Sequence, residues 1–351
     1  MQINQFPEVM SSCRFCFMCR HLSAVGQVSG RESDTPRGRA LIADRVRMHP
    51  EEIGNADFIE AIYRSDLSGA NRFHCDGYHD GKGYDEIGLQ LALRRDIVDA
   101  GYAPEKVKQV AAELKATENW SVEGKADVLY FVDPGTAARP SVEKAVKAVL
   151  DKANVSYAVV RGGCIGKALN VLGFAADAKA AMEKFAAVVN GTGAKVLLVS
   201  NPAAADALKN DFKAAGVNLV PEVMFTAGYF AKLAKEGRLA FAGKTGVASY
   251  LPSDYLKNYL KCDCAEQLLA LLGVKNRMFG TNVEESYTAG EGALVLDRLY
   301  PELVKMLAAK VAAQAEADVP VIVASANTAD ALEAAGLKCV TLEEAAEADL
   351  C

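Results

Sequence analysis

The chain of 351 residues has no long hydrophobic run, no basic tail and no recognisable targeting segment. Because none of its apolar stretches approaches the roughly 18 residues of a membrane-spanning helix, we expect no membrane span. Its first residues lack a basic region followed by an apolar one, so we expect no secretory signal and a cytoplasmic protein. Acidic residues outnumber basic ones by 45 to 39, and the resulting net charge of −6 argues against a nucleic-acid partner.

Histidine is also scarce, since the chain has four and none lies beyond His79. This excludes a Ser-His-Asp arrangement from the rest of the chain, where acid–base chemistry would have to use carboxylates or lysines. These residues form no recognisable catalytic motif, so the sequence predicts no catalytic residue.

The chain changes character near residue 125, although its composition of 51% hydrophobic and 24% charged residues is ordinary for a globular protein. The part before it has helical patterns, such as a helix that Thr35 and Pro36 would begin and that would end near Met48. Beyond it, short apolar strands alternate with helical segments, which favours βα units and a mostly parallel sheet. We therefore predict an α+β multidomain fold with an α-helical domain over residues 1–120 and two α/β lobes over residues 121–220 and 221–351.

The two lobes are predicted to be related because their sequence pattern repeats. The strand Val196–Val199 and a strand that begins at Val321 are each followed by a small polar turn and a helix containing Ala-Asp-Ala-Leu. Upstream of them, Val128–Val132 and Val247–Leu251 would be the matching opening strands. A repeat of this kind predicts two copies of one supersecondary arrangement, which we call the first lobe and the second lobe.

Three of the nine cysteines fall within seven residues, as Cys13, Cys16 and Cys19 in the pattern C-x2-C-x2-C. This spacing lets three thiolates point at three irons of one cubane, and soft thiolate ligands suit iron–sulfur clusters. A zinc site usually takes two ligands from each of two such turns, so zinc is the second interpretation and unligated thiols the third. The pattern favours a [4Fe–4S] cluster.

A fourth ligand has to come from elsewhere in the chain. In two-cluster ferredoxins a fourth cysteine follows the third after three residues, but Ser23 occupies that position here. Cys75 is the one other cysteine before residue 125, and His74 and His79 beside it are the competing ligands. We predict a single cluster with four cysteine ligands: Cys13, Cys16, Cys19 and Cys75.

The segments around these cysteines carry a resemblance to a known family. Cys13–His21, Gly30–Leu41 and Arg94–Pro104 resemble the ferredoxin segment of the heterodisulfide reductase-like iron–sulfur proteins, which include the iron–sulfur subunits of glycolate and lactate oxidases. The two lobes are similar to the paired cysteine-rich (CCG) domains of that family. The resemblance implies a ferredoxin-like iron–sulfur domain followed by two CCG-like lobes.

The lobes depart from the family pattern at nearly every cysteine. Ser200–Ala204 and Ser325–Thr328 stand where Cys-Pro-x-Cys motifs would be, Ser286–Gly290 replaces a Cys-Cys-Gly motif, and Cys164 alone remains. The clusters that cleave heterodisulfides in some relatives therefore have no ligands here. What the resemblance still implies is the fold and electron transfer through the N-terminal cluster.

These patterns predict a non-catalytic electron-transfer subunit whose one cluster relays electrons between a flavoprotein dehydrogenase and an acceptor. By resemblance, the partner would be an FAD-linked oxidase or an electron-transfer flavoprotein, in a hetero-oligomer in which the partner carries FAD. One alternative is an oxidoreductase that binds a small molecule or a flavin in the cleft between the lobes, between residues 160–170 and 286–292. The other alternative is a scaffold protein with a structural cluster.

Further residues stand out without deciding between these functions. The thiols of Cys262-Asp-Cys264 are expected at the start of a helix, with metal binding as the alternative, and Cys164 is expected to be a buried relic rather than a nucleophile. Phe17 and Met18 are expected to shield the cluster from water. Five arginines could form a basic docking face for an acidic redox partner or a solvated helix surface: Arg31, Arg37, Arg39, Arg45 and Arg47.

Overall fold

The computed structural model of the chain describes residues 1–13, 16–73, 75, 84–279 and 287–351. It is a mixed α/β structure, with 57% of the residues in helices and 12% in strands. Its strands form two sheets, one of five strands and one of four. This confirms the predicted combination of a helical part with mostly parallel sheets.

Before residue 120, all regular secondary structure of the described residues is helical. Its α-helices are α1 (Pro7–Ser12), α2 (Ala24–Ser29), α3 (Pro36–Met48), α4 (Ala56–Tyr63), α5 (Glu86–Asp99) and α6 (Glu105–Ala116). Short 3-10 turns lie between them at Gln2–Gln5, Met18–Arg20, Glu32–Asp34, Pro50–Gly54 and Ala70–Phe73.

Helix caps explain why these helices begin where they do. The Oγ1 atom of Thr35 accepts a hydrogen bond from the backbone N–H of Gly38 at 3.1 Å, and Pro36 occupies the first turn, where its missing N–H costs nothing. Asn55 caps α4 and Asp85 caps α5 in the same way. The predicted helix from Pro36 to Met48 is confirmed at both ends.

The first sheet has the strand order β1-β3-β2-β4-β5. Strand β1 is antiparallel to β3, and every other neighbouring pair is parallel, with Leu129 opposite both Ala158 and Leu197. The strands are β1 (Trp120–Glu123), β2 (Val128–Val132), β3 (Tyr157–Gly162), β4 (Val196–Val199) and β5 (Glu222–Phe225).

The second sheet has the order β7-β6-β8-β9 and is parallel throughout. Its strands are β6 (Gly246–Tyr250), β7 (Val274–Asn276), β8 (Val321–Val323) and β9 (Cys339–Thr341). This order matches β3-β2-β4-β5 of the first sheet, strand for strand in chain order. In both sheets the opening strand, β2 or β6, lies between the second and the third strand of the unit. The predicted match of β2 with β6 and of β4 with β8 is therefore confirmed by the topology.

Helices cover both sheets. Around the first sheet lie α7 (Pro134–Ala138), α8 (Pro140–Lys152), α9 (Lys167–Leu172), α10 (Ala175–Gly191), α11 (Pro202–Asp206), the π-helical turn Ala207–Asp211, α12 (Phe212–Ala214) and α13 (Thr226–Lys235). Around the second lie the π-helical turn Tyr255–Tyr259, α14 (Cys264–Leu271), the 3-10 turn Glu291–Ala293, α15 (Leu296–Leu299), α16 (Pro301–Ala312), α17 (Ala326–Ala334) and α18 (Leu342–Ala348).

One hydrophobic core joins the helical part to both sheets, since it includes Ile42 of α3, Leu129 of β2 and Ile322 of β8. The final helix, α18, packs against α8 of the first lobe. Arg139, just before α8, forms ion pairs with Glu333 at 3.0 Å and Glu344 at 3.0 Å. Within the described part of the chain, no helix is both long and apolar enough to cross a membrane.

Candidate functional site

The predicted cluster ligands lie on the surface of the helical part, at the ends of short elements. Cys13 directly follows α1, and Cys19 lies within the 3-10 turn Met18–Arg20. Cys16 is exposed, whereas Cys13, Cys19 and Cys75 are half-buried. Arg14, Phe15, His74 and residues 76–83, which include His79, lie outside the described residues.

Electrostatic interactions connect three of the four thiols, Cys13, Cys19 and Cys75, directly or through Tyr84. Burial raises the pKa of Cys19 to about 11, a backbone N–H of Arg37 lowers it, and the charges of Glu86 and Cys13 raise it. Burial also raises the pKa of Tyr84 well above its ordinary value, followed by the negative charges of Glu86, Cys13 and Cys75. The charges of Cys75 and Cys13 thus act on the same buried tyrosine, although the two cysteines are far apart in sequence.

The thiols are near one another without forming a closed ligand set. Among the residues with described positions, no group of three or more histidine, cysteine, aspartate or glutamate side chains could hold a metal ion. The assignment of Cys13, Cys16, Cys19 and Cys75 as ligands thus stays a prediction. Phe17, which was expected to shield the cluster, is 66% exposed and lies under the guanidinium of Arg37, 4.5 Å from the centre of its ring.

A buried ion pair lies beneath this group of thiols. The Nε atom of Arg39 donates to Oε1 of Glu86 at 2.8 Å, and Nη1 of Arg39 donates to the carbonyl of Asp34 at 2.8 Å. Arg64 completes the network with a 2.7 Å ion pair to Asp34, whose side chain is fully buried. Since burying an unpaired charge is costly, these contacts hold α3 and the start of α5 together.

Three buried polar side chains near this network lack hydrogen-bond partners among the described residues: Tyr84, Asn71 and Gln90. Gln90 lies one helical turn beyond Glu86 on α5, on the same face. Buried polar groups without partners are rare in proteins and need an explanation. Sequence reasoning missed all three because nothing in the local sequence marks a polar residue for burial.

A buried loop, residues 65–71, connects the helical part to the second lobe. All of its seven residues are buried. The amide of Asn258 donates to the carbonyl of Ser68 at 2.6 Å, and the hydroxyl of Tyr259 donates to the carbonyl of Leu67 at 2.5 Å. A Cβ atom on Gly292 would lie 2.4 Å from the carbonyl oxygen of Leu67, so glycine permits the close approach at this point.

A cleft between the lobes is the second candidate site. It consists of two adjoining cavities of about 370 and 430 Å³. Gly163–Ala168 contributes to one wall and Ala289–Val295 to the opposite wall, in the two regions that the sequence predicted. The two cavities share Asn201, Ala203, Leu294, Asp297 and Asn327. The cleft lies at the carboxyl ends of β2, β4 and β8, where open α/β sheets bind ligands.

Buried charges lie along the cleft walls. Lys167 is buried, and its Nζ atom lies 3.0 Å from Asp211 and also pairs with Asp206. On the opposite side, burial raises the pKa values of Asp254 and Glu291. The negative charge of Glu291 raises the pKa of Asp254 further, and Oε2 of Glu291 accepts a hydrogen bond from the backbone N–H of Asp254 at 2.7 Å. The polar lining of the cleft combines amides, carboxyls and hydroxyls with two further cationic side chains, Lys305 and Arg298.

The five arginines that could form a basic docking face have acidic partners in the structure. Four of its five arginines form surface ion pairs, and the fifth is the buried Arg39. The surface pairs are Arg31–Glu60, Arg37–Glu32, Arg45–Glu52 and Arg47–Asp44. This arrangement agrees with the solvated helix surface and gives no support to a docking face for an acidic partner.

Two sequence predictions about the cysteines of the lobes are confirmed. Cys264 is the first residue of α14, which confirms a helix start at the Cys262-Asp-Cys264 segment. Cys164 is buried, and burial raises the pKa of its thiol, which disfavours a nucleophilic role.

No family model, curated protein or solved structure matches this chain. The resemblance to heterodisulfide reductase-like proteins therefore stays a prediction, and function is argued from the residues and their geometry.

Proposed function

We propose that this protein is an electron-transfer protein that carries one [4Fe–4S] cluster on Cys13, Cys16, Cys19 and Cys75. It relays single electrons between a flavoprotein dehydrogenase and an acceptor. The observation that carries this proposal is the C-x2-C-x2-C pattern, supported by the charges of Cys13 and Cys75, which both raise the pKa of Tyr84. In this proposal residues 1–120 form a ferredoxin-like domain.

The donor set fits such a cluster in its chemistry. Cys19 is a half-buried thiol with a raised pKa, so its thiolate needs compensating positive charge, which iron supplies. A bound [4Fe–4S] cluster supplies one-electron oxidation and reduction, and the protein makes or breaks no bond of a substrate. The hydroxyl of Tyr84, which has no hydrogen-bond partner among the described residues, would be available to donate a hydrogen bond to a sulfur atom.

The exposed side of the site fits an electron-transfer role. Cys16 and Phe17 are exposed, and Met18 beside them is 39% exposed, so one edge of the site faces solvent. A partner could approach this edge closely without a conformational change. The two lobes, which lack cysteine motifs, would then provide further surface for a flavoprotein partner that carries FAD in a hetero-oligomer.

The test is anaerobic purification after growth with sufficient iron, followed by iron and sulfide analysis and EPR of the reduced protein. We expect about four irons per chain, and a flavoprotein among the co-purifying chains. Cys75→Ser should lower the iron content, whereas Cys164→Ser, at a buried cysteine of the first lobe, should not. About eight irons would overturn the single cluster, and one zinc per chain would overturn the cluster class.

The cleft supports a second candidate function, an oxidoreductase that binds a small molecule or a flavin between the lobes. The specific observation is the cavity between Gly163–Ala168 and Ala289–Val295. Titration with FMN and FAD, followed by flavin fluorescence, tests it. Asn327 is exposed and lines both cavities, so Asn327→Trp should block binding, whereas Gln314→Trp at an exposed position outside the cleft should not. Equal binding by both variants would contradict this function.

A further inference from the structure

Cys262 and Cys264 form a compact pair of thiols at the start of α14. Lys261 before them adopts a left-handed conformation with φ of +50°, and the backbone N–H of Cys262 donates to the carbonyl of Leu256 at 2.9 Å. This tight turn directs the sulfur of Cys262 back toward the helix. There it accepts a hydrogen bond from the backbone N–H of Cys264 at 3.2 Å.

The surroundings give the two sulfurs different protonation states. The thiol of Cys264 donates a hydrogen bond to the sulfur of Cys262, which is the largest cause that lowers the pKa of Cys262 to about 6. The backbone N–H of Cys264 and the positive charge of Lys209 lower this pKa further, against burial and the charge of Asp263. The same hydrogen bond and burial raise the pKa of Cys264. At neutral pH these effects favour the thiolate form of Cys262 beside the thiol form of Cys264.

Solvent reaches the two residues unequally. Cys262 is half-buried, whereas Cys264 is 6% exposed and packs beside Gly228 of α13. An oxidant from solution thus meets the thiolate of Cys262 first. Cys264, whose backbone N–H is hydrogen-bonded to the sulfur of Cys262 at 3.2 Å, then supplies the thiol for a second step. A low-pKa, accessible cysteine next to a resolving cysteine is the arrangement of redox-sensitive sites.

We propose that Cys262 and Cys264 are a redox site that hydroperoxides oxidise to an intramolecular disulfide. The thiolate of Cys262 attacks one peroxide oxygen, the O–O bond breaks, and a sulfenic acid forms while the leaving hydroxide takes up a proton to become water. The thiol of Cys264 then attacks this sulfur, the S–O bond breaks, and the S–S bond forms with release of a second water. Two electrons pass from the two sulfurs to one hydrogen peroxide; the thiol of Cys264 supplies one proton and solvent supplies the other, which neutralises the leaving hydroxide.

Mass spectrometry of the peroxide-treated full-length protein tests the products. Cleavage after Lys261 and Lys275 releases a peptide that contains just these two cysteines. We expect this peptide to lose the mass of about two hydrogens on oxidation. Cys264→Ser should trap a dimedone adduct on Cys262, whereas Cys262→Ser should give neither the disulfide nor an adduct on Cys264. Oxidation of exposed Cys351 ahead of Cys262, or an adduct on Cys264 in Cys262→Ser, would overturn the proposal.

The pH dependence of alkylation by iodoacetamide tests the thiolate without any variant. At pH 6 the larger thiolate fraction, offset by lower nucleophilicity, should make Cys262 react roughly tenfold faster than a free thiol of ordinary pKa. Lys209→Met should reduce this advantage, because it removes the positive charge near the sulfur. A rate at pH 6 no higher than that of glutathione would overturn the proposal.

This site does not depend on the proposed cluster, and the two can fail separately. Peroxide also damages iron–sulfur clusters, so visible absorbance is recorded alongside the mass of the peptide. Cys262→Ser should abolish the disulfide while leaving the visible absorbance and its loss under peroxide unchanged. A loss of cluster absorbance in untreated Cys262→Ser would instead show that Cys262 supports the cluster, and would overturn the separate redox site.

Discussion

The Nε atom of Arg39 donates to Oε1 of Glu86 at 2.8 Å, and both side chains are buried. The pair joins α3 to α5 near Cys19, whose pKa reflects the charges of both residues. The negative charges of Asp66 and Asp34 also act on the guanidinium of Arg39. The position of the predicted cluster ligands therefore depends on a charge pair in the core of the helical part.

Removing one member of this pair should strongly destabilise the protein. Glu86→Leu leaves the guanidinium of Arg39 buried without its main partner, and we expect a loss of about 3–5 kcal/mol in the free energy of unfolding. Urea denaturation measures it. Asp44→Ala, which breaks the exposed ion pair with Arg47, is the control and should cost no more than about 1 kcal/mol. The double variant Arg39→Met/Glu86→Leu should recover most of the stability, and a double variant as unstable as Glu86→Leu would contradict this explanation.

The hydroxyl of Tyr84 should influence the reduction potential of the proposed cluster. Hydrogen bonds to the sulfur atoms stabilise the more negative, reduced state, so Tyr84→Phe should shift the midpoint potential to more negative values at unchanged iron content. An EPR-monitored redox titration measures the shift. Tyr102→Phe, at a tyrosine that is 51% exposed, is the control and should leave the potential unchanged. Loss of iron from Tyr84→Phe would instead indicate a structural role.

The stability of the contact between α18 and the first lobe should fall as the pH rises. Burial raises the pKa of Glu343 to about 7, against hydrogen bonds from Thr226 and Thr341. The folded state thus binds this proton more tightly than the unfolded state, whose glutamate has a pKa of about 4.3. The contribution of Glu343 to the free energy of unfolding is therefore fully present below a pH of about 4.3. It is lost as the pH rises toward 7, by up to about 3 kcal/mol.

Glu343→Gln isolates this effect, because it removes the titrating group and keeps its shape. The free energy of unfolding of the variant should exceed that of the wild type at pH 8, and the difference should shrink toward pH 5. Chemical denaturation of both proteins at matched pH values measures the difference. A difference that stays constant across this range would show that Glu343 does not titrate as its burial implies.

A methyl group at Gly292 should weaken the contact between the buried loop 65–71 and the second lobe. The added carbon would lie 2.4 Å from the carbonyl oxygen of Leu67, so Gly292→Ala should cost roughly 1–3 kcal/mol. Gly191→Ala is the matched control, because a Cβ atom there has nothing within 4 Å. This control should be neutral or stabilise the protein by up to about 1 kcal/mol. Equal stability changes in the two variants would contradict the close approach.

Local features of the fold were predictable from sequence because short-range physics sets them. The start of α3 follows from Thr35 and Pro36, whose hydroxyl and fixed backbone angle act within one turn. The parallel strands followed from uniform apolar runs such as Val128–Val132, which is buried along its whole length. The repeated Ala-Asp-Ala-Leu segment correctly paired β4 with β8.

Contacts between distant segments were not predictable in this way. The packing of α18 on α8 depends on Arg139 and Glu344, which are far apart in sequence and form no motif. The candidate site likewise combines features that the local sequence shows with features that tertiary packing determines. The spacing of Cys13, Cys16 and Cys19 was visible in the sequence, whereas the burial of Asn71 and Gln90 results from tertiary packing.

The buried loop 65–71 makes the helical part and the second lobe a single unit for folding. The carbonyls of Ser68 and Leu67 accept hydrogen bonds from Asn258 and Tyr259. A truncated protein that ends near residue 120 would therefore expose those oxygens and the surrounding apolar side chains to water. Such a fragment would lose these contacts and should aggregate rather than behave as an autonomous small redox carrier. Biochemical work on the thiols near the amino terminus therefore calls for the intact polypeptide.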